Sequence, residues 1–133
     1  MNAVIDALPA SFWSVLYNSA RTPDQTNDLS DGANCQRFAY AVLGHLGQSI
    51  PSFRSSELWE DARYTQRVTQ FQPMDLLLFG PDNNAWGAHV ALCAGDGHVL
   101  HLSKHVGFPA VWSFAQFEGL PRYQVLLGAK RII

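Results

Sequence analysis

The chain has 133 residues, 47% of them hydrophobic and 15% charged, which fits one globular domain over residues 1–133 and excludes a disordered or fibrous protein. Nine lysines and arginines stand against 11 aspartates and glutamates, a net charge of -2 with the positive residues scattered, so no basic face tracks a phosphate backbone and nucleic acid is not an expected partner. No apolar run approaches the roughly 20 residues of a membrane span, and the N-terminus carries no pattern of a secretory leader. The expected setting is the cytoplasm, without membrane contact. Cys35 and Cys93 are expected as free thiols, because a domain of this size folds without a disulfide.

In chain order, the first expected helix runs from Pro9 to Ala20, with Phe12, Trp13, Leu16, Tyr17 and Ala20 at helical spacing. Arg21 to Gly32, rich in Thr, Asp, Asn, Ser and Gly, reads as a loop. A second helix begins at Cys35 behind an Asn34 cap, since Cys35, Phe38, Ala39, Val42 and Leu46 form one stripe that Gly47 and Pro51 end. Ser55 to Glu60 starts a short helix with serine as its cap. Strands are expected at Met74–Phe79, His89–Ala94, Val99–Ser103 and Tyr123–Leu127, and Ser113 to Gln116 is a capping box opening a further helical turn. Helices first and strands after predict an α+β domain, with N-terminal helices packed on a C-terminal antiparallel sheet.

Cys35 falls in the first turn of the second helix, where unpaired backbone N–H groups and the helix dipole lower a thiol pKa. A base for it is found by the parity of the next hairpin. Side chains alternate along a strand, so the register decides which residues share a face. If Asp96-Gly97 is a two-residue loop, His89 and His101 lie on opposite faces. If Gly95-Asp96-Gly97 is a three-residue loop with a left-handed Gly97, Leu92 opposes Leu100 and Val90 opposes Leu102. That register collects Val90, Leu92, Ala94, Leu100 and Leu102 on one face and His89, Ala91, Cys93, Val99, His101 and Ser103 on the other. It segregates polar from apolar better and is the expected one. Cys35 is then the candidate nucleophile, His89 its general base and His101 the group that holds the His89 ring, an arrangement suited to an acyl-enzyme mechanism with a backbone N–H serving the oxyanion.

These residues bring the NlpC family of cysteine peptidases, a branch of the papain-like superfamily, into view. Asn34-Cys35-Gln36-Arg37-Phe38 followed by Leu43-Gly44-His45-Leu46-Gly47 resembles its nucleophile helix, and Pro51 through Arg54-Ser55-Ser56 is similar to its Leu-Pro-Arg-Thr-Ser segment. Gln72-Pro73-Met74-Asp75-Leu76-Leu77-Leu78-Phe79 resembles the Gly-Asp-Leu-Val-Phe-Phe strand with Met74 in place of Gly. Ala88-His89-Val90-Ala91-Leu92 resembles the His-Val-Gly-Ile strand, and Gly95 through His101 the turn and strand that end in the third catalytic residue. The chain departs from the family at Asn34-Cys35-Gln36-Arg37, where Asp-Cys-Ser-Gly is usual, and lacks the Gly-rich approach to the cysteine.

The resemblance implies a papain-like core and a Cys35-His89-His101 triad. It also implies a thiol hydrolase cleaving an amide bond through a thioester, with a peptide or peptidoglycan-fragment-like substrate. An acyltransferase or thioesterase would use the same triad, and a non-catalytic binding domain of the same fold would hold Cys35 as an inert core thiol. A zinc site from Cys93, His98, His101 and His105 fits no zinc spacing and splits its ligands between two faces, so no metal or cofactor is expected.

Overall fold

In a computed structural model describing residues 2–26 and 28–133, short helical segments lead into one long helix and then a six-stranded sheet. Helix α1 (Ala3–Asp6) has no counterpart among the expected elements. Asn2 caps it by accepting from the Ile5 N–H, and its amide donates to the Ala94 carbonyl at 2.9 Å, tying the chain start to the sheet. The helix expected over residues 9–20 is instead a single 3-10 segment, Ala10–Ser14, followed by extended backbone. Its later backbone groups are claimed from outside. The Tyr17 N–H donates to the Gly107 carbonyl, Asn18 N–H to Ala33, and Ala33 N–H to Leu16. Long-range pairing satisfies the groups that a helix would have paired internally.

Helix α2 (Cys35–His45) begins where expected, with the Asn34 side chain accepting from the Arg37 N–H at 2.8 Å, and Gly47 takes a left-handed φ of 86° after its end. Arg37 is buried on this helix. Its guanidinium donates to the Thr22 and Asp28 carbonyls and pairs with the Asp24 carboxylate at 2.8 Å, so the preceding loop is held from within the core. Helix α3 (Ser55–Glu60) is capped at Arg54 rather than at a serine, with the Glu57 carboxylate accepting from the Arg54 N–H.

Six strands follow: β1 (Thr65–Val68), β2 (Leu76–Gly80), β3 (His89–Gly95), β4 (His98–His101), β5 (Ala110–Ser113) and β6 (Val125–Ile132). They lie in the order β1-β6-β2-β3-β4-β5, and every pairing is antiparallel, so the class is α+β as expected. The edge strands β1 and β5 are absent from the expectation, being four residues long and without a buried alternation. Strand β6 runs past Leu127 to Ile132 because it pairs on both sides, with β1 and β2, while Tyr123 belongs to a 3-10 turn before it. Ser113 and Gln116 form the expected capping box of α4 (Phe114–Glu118).

The sheet buries both faces. Leu76, Leu78, Val90, Leu92 and Leu100 pack with Phe38, Val42 and Leu43 of α2. Leu77, Phe79, Ala91, Cys93 and Val99 pack with Phe117 of α4 and Tyr123. The β3–β4 register has Leu92 opposite Leu100 and Cys93 opposite Val99, the pairing expected from segregation of side chains. It is reached differently from the expectation. The loop itself is the two residues Asp96-Gly97, with φ values of 56° and 77°, and Gly95 faces His98. A bulge between Cys93 and Gly95 absorbs one residue and restores the parity. The Asp-Gly pair favours the tight turn with two positive φ angles, and Gly95, at φ 88°, has no room for a Cβ against Pro73.

Met74, standing where the resembling motif has glycine, has a left-handed φ of 77°. The next residue, Asp75, is buried beneath the sheet end and accepts from Arg131 through both oxygens, at 2.9 and 2.8 Å, and from the Gln72 N–H. Removing one partner of such a pair leaves an uncompensated buried charge. Arg131→Met is expected to lower the urea midpoint, because it leaves the Asp75 carboxylate buried without its partner, and the double variant Asp75→Leu/Arg131→Met to lower it less. A double variant as unstable as the single one would refute this account of the pair.

Candidate active site

At the start of α2 the Arg37 N–H is taken by the Asn34 side chain and the Phe38 N–H by the Asn34 carbonyl. The N–H groups of Cys35 and Gln36 are left beside the Cys35 thiol, which also lies within hydrogen-bonding reach of the Val90 N–H of β3. That N–H belongs to the peptide linking His89 to Val90. These three donors and the Arg54 guanidinium pull the thiol pKa down, but burial pushes it up and prevails. The expected lowering is therefore corrected. The helix N-terminus acts on Cys35 as anticipated, yet the protein packed around this partly buried residue desolvates the thiol, and at rest it keeps its proton.

His89 and His101 share a face and touch. His89 Nε2 and His101 Nδ1 are 3.0 Å apart, with the two rings nearly perpendicular at 84°. His89 is 8% exposed and His101 1%. Burial pushes His101 down to about 3 and His89 well below the usual histidine range, the latter with a smaller contribution from His101 beside it. Among the described residues neither ring pairs with a carboxylate. Both are neutral at pH 7, so one ring must donate to the other.

The structure thus brings His89 and His101 into direct contact and sets Cys35 beside the backbone that carries His89. Among the described residues no hydrogen bond joins the Cys35 sulfur to the His89 ring. Since Nε2 of His89 is engaged by His101, Nδ1 is the nitrogen left for an outside partner. A thiol, an imidazole with a free nitrogen and two unengaged backbone donors are together suited to acyl transfer.

Several neighbours escaped the sequence. Tyr123 stacks on His89 with ring centroids 4.6 Å apart, while Trp112 and Phe117 enclose His101 at 4.3 and 4.7 Å. Nothing in local spacing links these residues to the histidines. Arg54 donates from Nε to the Gln36 side chain at 3.2 Å. It also lines a cleft of about 170 Å³ with Ser55, Ser56, Gly87 and the exposed Trp86. Its place just before α3 was the available signal. On the hairpin Cys93 opposes Val99 and His98 opposes Gly95, and no three metal-binding side chains converge among the described residues.

No protein-family profile and no curated protein matches the chain. Solved structures do. An NlpC/P60 family protein from Bacillus cereus is 23% identical, with a TM-score of 0.57 over 76% of this chain and 32% of that one. The peptidoglycan hydrolase RipB from Mycobacterium tuberculosis is 24% identical, with a TM-score of 0.61 over 98% of this chain and 63% of that one. The NlpC/p60 domain of the peptidoglycan hydrolase SagA is 21% identical, with a TM-score of 0.61 over 98% of this chain and 97% of that domain. The chain spans less than two thirds of the first two. Its fold is that of NlpC/P60 proteins.

Two buried neutral histidines make the fold acid-sensitive with a definite sign. Unfolded, each binds a proton below about pH 6.5, whereas the folded His101 does so only near pH 3. The unfolded state therefore holds more protons, and stability falls as pH drops through this interval. Between about pH 6.5 and 5.5, where carboxylates remain largely ionised, the melting temperature is expected to fall, and to fall less in His101→Gln. Equal pH slopes for the two proteins would refute this.

Proposed function

We propose that the chain is a divergent NlpC/P60-type thiol hydrolase that cleaves an amide bond in a cell-wall-type peptide, using Cys35, His89 and His101. The observation that carries this is the 3.0 Å contact between His89 Nε2 and His101 Nδ1 next to a helix-N-terminal thiol. The fold shared with peptidoglycan hydrolases supports the substrate class.

In this reaction Nδ1 of His89 takes the Cys35 proton as sulfur attacks the scissile carbonyl carbon. The carbonyl oxygen gains the electron pair and meets the N–H groups of Cys35 and Gln36. The C–N bond then breaks, and the amine leaves with the proton held by His89, giving a thioester. Water attacks the thioester, His89 takes its proton and returns it to sulfur, and the carboxylic acid product departs. His101 stays bonded to Nε2 throughout and holds the ring. The resting pair is neutral thiol and neutral imidazole, so charge separates during attack, favoured by the Val90 N–H beside the sulfur and by the nearby positive charge of Arg54.

The test is turnover of peptidoglycan-derived peptides by the full chain and three substitutions. Cys35→Ala is expected to abolish turnover with little change in melting, because a small side chain is lost from the first helical turn. His89→Ala is expected to lower kcat by about 10²–10⁴-fold, the usual contribution of a positioned base. His101→Gln, which can still accept from the His89 ring, is expected to retain more activity than His101→Ala. Cleavage that survives Cys35→Ala would overturn the mechanism. Peptide binding without cleavage, unaffected by Cys35→Ala, would replace it with a non-catalytic binding domain.

A further inference from the structure

His101 Nδ1 faces His89, but His101 Nε2 is buried and has no polar partner. What surrounds the ring is aromatic. Trp112 of β5 approaches with centroids 4.3 Å apart and planes at 65°, and Phe117 of α4 at 4.7 Å and 56°. Phe117 is itself fully buried, stacked on Phe79 at 4.1 Å, so this wall is rigid.

The two forms of a neutral imidazole are not equivalent in such a box. A nitrogen bearing hydrogen is drawn to the negative face of an aromatic ring, whereas a bare lone pair is repelled by it. The aromatic enclosure therefore favours a proton on His101 Nε2. Nδ1 of His101 is then the acceptor, and the hydrogen in the 3.0 Å contact belongs to His89 Nε2. His89 in turn has its lone pair on Nδ1. The opposite arrangement, His101 Nδ1 donating to His89 Nε2, would put the His89 proton on Nδ1 and leave no base for a thiol.

We propose that Trp112 and Phe117 are positioning residues that hold His101 as its Nε2–H tautomer and, through it, set His89 with a bare Nδ1. The tautomers are inferred from the ring contacts and the unpartnered Nε2, while their catalytic consequence rests on the function proposed above. Because burial keeps both rings neutral at pH 7, one tautomeric pair dominates rather than an imidazolium.

The full chain labelled with ¹⁵N-histidine, studied at pH 7.5 by long-range proton–nitrogen correlation, reads each ring directly. The expected result is a protonated Nε2 and a bare Nδ1 on both His89 and His101, with the His101 Nε2 proton shifted upfield by the ring currents around it. In Trp112→Leu that proton is expected to move downfield and a second tautomer to appear, while Trp112→Phe restores the original pattern. A proton on His101 Nδ1 in the unsubstituted protein overturns the proposal, with no variant needed. So does an unchanged His101 spectrum in both Trp112→Leu and Phe117→Leu. The expected tautomers in a protein that cleaves no peptide would instead refute the hydrolase and leave this inference standing.

Discussion

A strand repeats every two residues, so a slip of one residue between β3 and β4 would send His101 to the opposite face from His89. The site depends on that parity. It is held by the opposition of Leu92 and Leu100 on the α2 side, by the bulge before Gly95, and by the tight Asp96-Gly97 turn. Each alone is a small local preference. Together they select one register, because a one-residue slip of β4 would turn Leu100 toward the Phe117 and Tyr123 side and set His101 against the aliphatic α2 side. The 3.0 Å contact between the rings is a consequence of how the hairpin closes.

Burial sets the chemistry of this hairpin in opposite directions on its two kinds of titratable group. A thiol is disfavoured as an anion and an imidazole as a cation, so the Cys35 pKa rises while those of His89 and His101 fall. The proton rests on sulfur. In the proposed reaction the ion pair forms only as the bond does, favoured by three backbone N–H groups beside the sulfur and by the positive charge of Arg54 nearby. A neutral third residue suits this setting, since a carboxylate beside His89 would need its own partner in the same apolar wall.

The scaffold gives several other buried polar groups partners inside the protein. Arg37 binds the loop before α2 through carbonyls and Asp24, Asp75 is closed by Arg131, and Asn2 reaches the end of β3. The first of these bears on the site, because Arg37 and Cys35 lie on the same first turn. Lys130, buried in β6, finds the Trp59 and Asp61 carbonyls and so fastens α3 to the sheet. Gly128 leaves room for Trp59, where a Cβ would stand 2.9 Å from the indole.

The positions of α2, α3, α4 and the four central strands were legible in the residues themselves, since caps, periodicity and turn glycines act over a few neighbours. The pairing of His89 with His101 was legible too, because the apolar residues of β3 and β4 separate cleanly in only one register. What lay beyond reach was whatever depends on distant partners. Residues 15–20 have helical spacing, but Gly107 and Ala33 claim their backbone groups. The edge strands β1 and β5 exist because β6 and β4 present open ladders to them. The thiol pKa was misjudged for the same reason: the helix terminus is local and visible at Asn34-Cys35, whereas the burial that outweighs it comes from the packing of β3 against α2. Trp112, Phe117 and Tyr123 reach the histidines only through the packed second face of the sheet, and that contact is created by tertiary folding alone.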